Sequence, residues 1–164
     1  MKRLIWISLA TVLFTACGSG EADNTTPSPT GGGAVGDIAI TAIEFGSHVT
    51  LTNLGADPVS VDGLWLCNRP AYTELTGEIA PGASIEIEAS KLGGLSADGA
   101  EVGLYSANSF GDPNNMLDYV GWGTGGGRAE VAANAGLWPA GEVVAVSGSG
   151  ISAANGGASA ADWS

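Results

Sequence analysis

Short runs of alternating apolar and polar residues recur along the chain from residue 37 onward. Apolar and polar residues alternate over 48–54, so Val49 and Leu51 share one face. Ile85 and Ile87 alternate in the same way with Glu86 and Glu88. A two-residue period is typical of a strand buried on one face. Turn residues separate these runs at intervals of roughly ten residues. The pattern predicts an all-β sandwich of about seven or more short strands.

Two places depart from strict alternation. Near the start, Ile38 and Ile40 are in one phase and Ile43 and Phe45 in the other, a slip of one residue. Such a slip predicts a β-bulge, or a strand that turns between two sheets. Only residues 128–135 have a helical composition, and a glycine follows that ends a helix. The fold is therefore expected to contain at most one short helix.

Six segments follow one another in a characteristic order and spacing. They are ITAIE at 40–44, VTLTN at 49–53, GLWL at 63–66, IAPG at 79–82, VGLY at 102–105 and DYVGWG at 118–123. This order resembles the lamin-tail domain, an immunoglobulin-like β-sandwich. The resemblance covers about 37–122, so 37–164 is expected to be one such domain with a Gly/Ala-rich C-terminal extension. The resemblance implies a module that binds or tethers rather than one that catalyses a reaction.

The N-terminus has the pattern of an export signal. Lys2 and Arg3 precede an apolar stretch over 4–16 that is too short for the roughly 20 residues of a membrane-spanning helix. The stretch ends on Cys17, which resembles a bacterial lipobox. We therefore expect 1–16 to be a lipoprotein signal peptide and Cys17 to carry acyl chains. An ordinary cleaved signal peptide is the alternative.

The following stretch predicts a spacer. Residues 17–36 are rich in Gly, Ser, Thr and Pro and contain almost no large apolar side chain, so they are expected to form a flexible tether. Gly18 follows the cysteine, where a sorting Asp would hold some lipoproteins in the inner membrane. If the host is Gram-negative, the resemblance implies an outer-membrane anchor, on the periplasmic face or the cell surface.

The charge balance restricts the partners. The chain has 17 acidic residues against 5 basic ones, a net charge of −12. Nucleic-acid binding depends on clustered Lys and Arg, so no nucleic-acid partner is expected. The expected partners are the membrane, through the acyl chains on Cys17, and an unknown envelope protein or glycan.

No constellation of catalytic or metal-ligating residues is apparent. His48 is the single histidine and Cys67 the single cysteine besides Cys17, so no copper or zinc centre is predicted. Cys67 lies between apolar residues and is expected to be a buried, unreactive thiol. The G-x-G-x-x-G pattern at 121–126 lacks the surrounding βαβ units and is interpreted as a glycine-rich loop. No cofactor and no enzymatic activity are expected.

Two sets of side chains are candidates for ligand contact. Asp112 and Asp118 bound an oxygen-rich segment, which we interpret first as a turn leading into an edge strand. A weak Ca²⁺ site is the minority alternative. Trp138 and Trp163 lie in Gly- and Ala-rich segments. Either they pin those segments to the sandwich or they are exposed platforms for a carbohydrate or protein.

The remaining tryptophans that lie in strand patterns, Trp65 and Trp122, are expected in the core. Together, these features predict a non-catalytic, envelope-anchored lipoprotein. Its domain would serve protein interaction, adhesion or scaffolding. The alternative is an extracytoplasmic module that binds carbohydrate or Ca²⁺.

Overall fold

The computed structural model describes residues 35–164, so the predicted signal peptide, Cys17 and most of the predicted tether lie outside the described residues. The described part contains ten strands and one α-helix. The strands are β1 (Ile38–Glu44), β2 (His48–Asn53), β3 (Val59–Ser60), β4 (Trp65–Asn68), β5 (Ala71–Glu74), β6 (Glu78–Ile79), β7 (Ser84–Glu88), β8 (Gly99–Tyr105), β9 (Met116–Gly123) and β10 (Gly150–Ser152), and the helix is α1 (Ala129–Asn134). Single 3-10 turns occupy Val35–Asp37, Ala89–Leu92, Pro113–Asn115 and Ala160–Asp162.

The strands form two four-stranded antiparallel sheets and one small ribbon. The first sheet has the order β10-β1-β2-β7, the second β5-β4-β8-β9, and β3 pairs with β6. The two sheets pack face to face with a shared apolar core, which is the immunoglobulin-like sandwich architecture. The predicted all-β sandwich with one short helix is confirmed.

The core lies between the inward faces of the two sheets. Val49 and Leu51 from β2 are fully buried, as their alternation predicts, and Leu66, Val102 and Leu104 oppose them from the second sheet. Each such side chain contributes about 1.5–3 kcal/mol when it leaves water. The sandwich is therefore held mainly by this layer of branched aliphatic side chains.

The predicted bulge in β1 is also confirmed, and a carboxylate lies beside it. The pairing of β1 with β2 shifts register between Ile40 and Ala42. Asp118, on β9 of the other sheet, accepts a hydrogen bond from the Ile40 backbone N–H at 2.7 Å through Oδ2. Its Oδ1 accepts from the Tyr119 N–H at 2.8 Å. Asp118 therefore ties the two sheets together.

The C-terminal region is an integral part of the sandwich. β10 is an edge strand of the first sheet, and Val144 bridges to Trp122 along the edge of β9. The predicted helix is confirmed as α1, which is followed by Gly136 at a φ of 73°. No helix among residues 35–164 is both long and apolar enough to cross a membrane.

Candidate functional site

The second sheet has an outer face that points away from the core. Residues paired across antiparallel strands share a face, and the register pairs Trp65 with Tyr105, and Gly103 with both Cys67 and Tyr119. Their neighbours in the strands, such as Leu66 and Leu104, point inward. The outer face therefore presents an unusual set of aromatic, thiol and carboxyl side chains.

Part of this face is covered by residues 124–138, which we call the covering segment. The Arg128 backbone N–H donates a hydrogen bond to Glu101 Oε2 at 2.6 Å, and the Tyr119 hydroxyl donates to the same oxygen at 3.1 Å. Trp138 packs edge-on against Tyr119, with ring centroids 5.7 Å apart. One oxygen of Glu101 thus fastens the covering segment to the sheet.

Two glycines allow the tyrosine rings to lie on the sheet. A Cβ at Gly103 would lie 2.6 Å from Cε2 of Tyr105, and one at Gly121 would lie 2.8 Å from the Tyr119 hydroxyl oxygen. Burial is the main cause that raises the pKa of both tyrosines well above its usual range. The Tyr119 phenol therefore stays protonated and acts as a hydrogen-bond donor.

Beside the covering segment lies a cavity of about 550 Å³, which we call the glycine-lined pocket. Its walls include six glycines, from two loops and the start of β8, together with Glu101 and Arg69. Glu101 is only 3% exposed, and its Oε1 is buried with no hydrogen-bond partner among the described residues. A buried carboxylate oxygen in this state is rare in native proteins and calls for an explanation.

On the other side of the outer face, three aromatic side chains form a surface cluster, the aromatic patch. It consists of Trp65, Tyr72 and Phe110, with ring centroids 5.2–6.3 Å apart. Phe110 also packs edge-on against the buried Tyr105 at 5.1 Å. Tyr72 is 56% exposed, the highest value among the large apolar side chains of the described chain.

Cys67 lies on the same face and is buried, as predicted. It is 4% exposed and is free of a disulfide within residues 35–164. Desolvation raises the pKa of the thiol, and the nearby cation Arg128 only partly offsets this effect. A thiol rather than a thiolate is therefore present at neutral pH, which makes Cys67 a poor nucleophile.

The two candidate aspartates have separate structural roles. Asp112 caps the turn at Pro113–Asn115, and its Oδ1 accepts hydrogen bonds from the backbone and the side-chain amide of Asn114, each at 2.9 Å. Asp118 binds backbone N–H groups between the sheets, as described above. Within residues 35–164, no group of three or more His, Cys, Asp or Glu side chains is arranged to hold a metal ion.

The structure buries both candidate tryptophans. Trp138 is 3% exposed and donates a hydrogen bond from Nε1 to the Glu142 carbonyl at 3.0 Å, and Trp163 is 7% exposed. Both rings pin their segments to the sandwich, so neither has an exposed face to support the predicted ligand contact. Trp122 is buried as predicted, whereas Trp65 is only partly buried and packs against the core. Its register places it on the outer face.

His48 is placed near two exposed acids of the first sheet. Its Nε2 lies 3.7 Å from Glu44 Oε2 and 3.6 Å from Glu86 Oε1. Exposed pairs of this kind contribute little to stability, about 0–1 kcal/mol. The Ser47 hydroxyl also lies 3.0 Å from His48 Nδ1. Ser47 and both acids are exposed, so the group is a cluster of surface polar contacts.

Sequence reasoning missed the residues that define the two candidate sites. Glu101 carries a faint signal, because it is the single charged residue within the strand GAEVGLY. Arg69, Tyr72 and Phe110 carry none, since their positions depend on pairing between distant strands and on loop conformation. No protein-family model, curated protein or solved structure matches this chain.

Proposed function

We propose that this chain is a lipid-anchored, non-catalytic envelope protein whose lamin-tail-like domain binds a protein partner through the aromatic patch. The observation that carries the proposal is the exposure of Tyr72, at 56%, beside Trp65 and Phe110. Tyrosine and tryptophan are enriched at the energetic centres of protein interfaces.

The ring geometry favours a protein over a glycan as the partner. The rings of the aromatic patch are tilted against one another by 41–68° and do not form a flat platform for a sugar ring. Tilted rings leave grooves that suit apolar side chains. The tryptophans on which the carbohydrate alternative depended are buried, and the two aspartates on which the Ca²⁺ alternative depended bind peptide groups.

The anchor part of the proposal rests on sequence alone. The lipobox-like segment ending at Cys17 supports acylation, and the acidic composition suits an extracytoplasmic surface. In cells fed a labelled fatty acid, label is expected in the wild-type protein and lost in Cys17→Ser. Equal labelling of both would contradict acylation at Cys17.

The binding part is tested with the full-length chain in detergent as bait for the host's envelope extract. Tyr72→Ala is expected to lower recovery of a specific protein at least about tenfold, since a central interface residue contributes 1–2 kcal/mol or more. Leu54→Ala is the matched control, because Leu54 is 45% exposed but directly follows β2, a strand of the first sheet. A partner lost equally from both variants, or retained by both, would refute the role of the aromatic patch.

A further inference from the structure

We infer that the glycine-lined pocket binds a small zwitterion, an α-amino acid or a short peptide, with its ammonium group on Glu101 and its carboxylate on Arg69. This site is separate from the aromatic patch and does not depend on the function proposed above.

The ammonium end is assigned by the unused carboxylate oxygen. Glu101 Oε2 already accepts two hydrogen bonds, from the Arg128 N–H and the Tyr119 hydroxyl, whereas Oε1 accepts none within residues 35–164. Leaving a buried acceptor unsatisfied costs about 1–3 kcal/mol, and more when the group is charged. An ammonium group supplies both the missing donor and the opposite charge, so it recovers that cost on binding.

The carboxylate end is assigned by Arg69, which lines the same cavity. Among the described residues, no carboxylate oxygen lies within 4.0 Å of an Arg69 side-chain nitrogen, so Arg69 forms no ion pair there. A Cβ at Gly127 would lie 3.2 Å from Glu101 Oε1 and 3.5 Å from Cδ of Arg69. The acid and the arginine side chain therefore flank one point in the pocket, the arrangement that suits a ligand with two opposite charges close together.

The glycines explain why the pocket is open at this point. A Cβ at Gly127 would lie 3.2 Å from Oε1, so any larger residue there would crowd that oxygen. A metal ion does not fit the site equally well, because Glu101 is a single carboxylate and metal-binding clusters are absent among the described residues. The volume of about 550 Å³ admits a dipeptide, which makes dialanine a suitable probe.

The test is a calorimetric titration of the full-length protein in detergent with L-alanyl-L-alanine. Two analogues control for the charges: the N-acetylated dipeptide lacks the ammonium group, and the C-terminal amide lacks the carboxylate. Dialanine is expected to bind, and each analogue to bind at least about tenfold more weakly, since each loses a charge-assisted hydrogen bond.

Three variants locate the site. Glu101→Gln keeps an amide oxygen for Tyr119 and Arg128 but turns an N–H₂ group toward the pocket, and it should weaken dialanine binding at least about tenfold. Gly127→Ala should weaken it too, while retaining the charge of Glu101. Glu78→Gln removes an exposed acid from β6 and should bind as the wild type does.

Melting temperatures measured alongside separate loss of binding from loss of the fold. If Glu101→Gln does not fold, Gly127→Ala still reports on the space before Oε1. The inference is overturned if dialanine does not bind at millimolar concentrations. It is also overturned if the acetylated dipeptide binds equally well, or if a folded Glu101→Gln variant binds as tightly as Glu78→Gln.

Discussion

Asp118 makes the stability of the sandwich depend on pH in a way that one substitution isolates. Burial raises the pKa of this carboxyl from 3.8 to about 6, against the opposing effect of the hydrogen bonds from the Ile40 and Tyr119 N–H groups. A carboxyl with a raised pKa binds its proton more tightly in the folded state. Its stabilising contribution is therefore complete below the unfolded pKa and is lost as the pH rises through about 6.

The magnitude follows from the size of the shift. A difference of about two pH units between the folded and unfolded pKa corresponds to about 3 kcal/mol over the whole titration. When the pH is lowered from 7.5 to 5, the free energy of unfolding rises by about half of this amount, roughly 1.4 kcal/mol. For a domain of this size, that raises the melting temperature by about 5 °C.

The assay is chemical denaturation at a series of pH values for the wild type, Asp118→Asn and Asp112→Asn. The free energy of unfolding of Asp118→Asn should not show the rise of roughly 1.4 kcal/mol between pH 7.5 and pH 5, because an amide does not titrate. Asp112→Asn controls for the change in net charge, since asparagine caps a turn as well as aspartate does. Parallel stability curves for the wild type and Asp118→Asn between pH 7.5 and pH 5 would refute the reasoning.

Two further outcomes are expected from side chains of the outer face and of the covering segment. Trp138→Ala should lower the free energy of unfolding by about 3–5 kcal/mol, because the ring is 3% exposed. Tyr72→Ala should lower it by less than about 1 kcal/mol, because that side chain is 56% exposed. Equal melting temperatures for the two variants would contradict the assigned packing. Iodoacetamide should modify Cys67 only in denaturant, as read by peptide mass spectrometry, because the thiol is buried and its pKa is raised. Rapid labelling of the native protein would contradict this.

Local pattern was enough to predict much of the fold. The alternation around Val49 and Leu51, the phase slip after Ile40 and the helical composition near Arg128 each depend on neighbouring residues only. Their structural counterparts are β2, the bulge of β1 and α1. In each case the backbone period and the burial pattern agree, so tertiary packing reinforces the local preference.

The candidate sites could not be predicted from local pattern, because they are formed by contacts between residues that are far apart in the sequence. Glu101 receives the Arg128 N–H from 27 positions away, and Ile40 donates to Asp118 across 78 positions. Alternation places Trp65 on a strand but does not say which face is inward. In this sheet both faces are partly covered, one by the first sheet and the other by the covering segment, so apolar character alone does not distinguish them.

A comparison of the two acids on the second sheet shows why Glu101 stands out. Asp118 uses both oxygens to accept backbone hydrogen bonds, so its carboxylate is fully explained by the joining of the two sheets. Glu101 fastens the covering segment with Oε2 alone. A glutamine would supply that single acceptor without burying a charge, which is costly unless the charge is paired. Fastening the covering segment therefore does not explain the acid, whereas a cationic ligand group at Oε1 does.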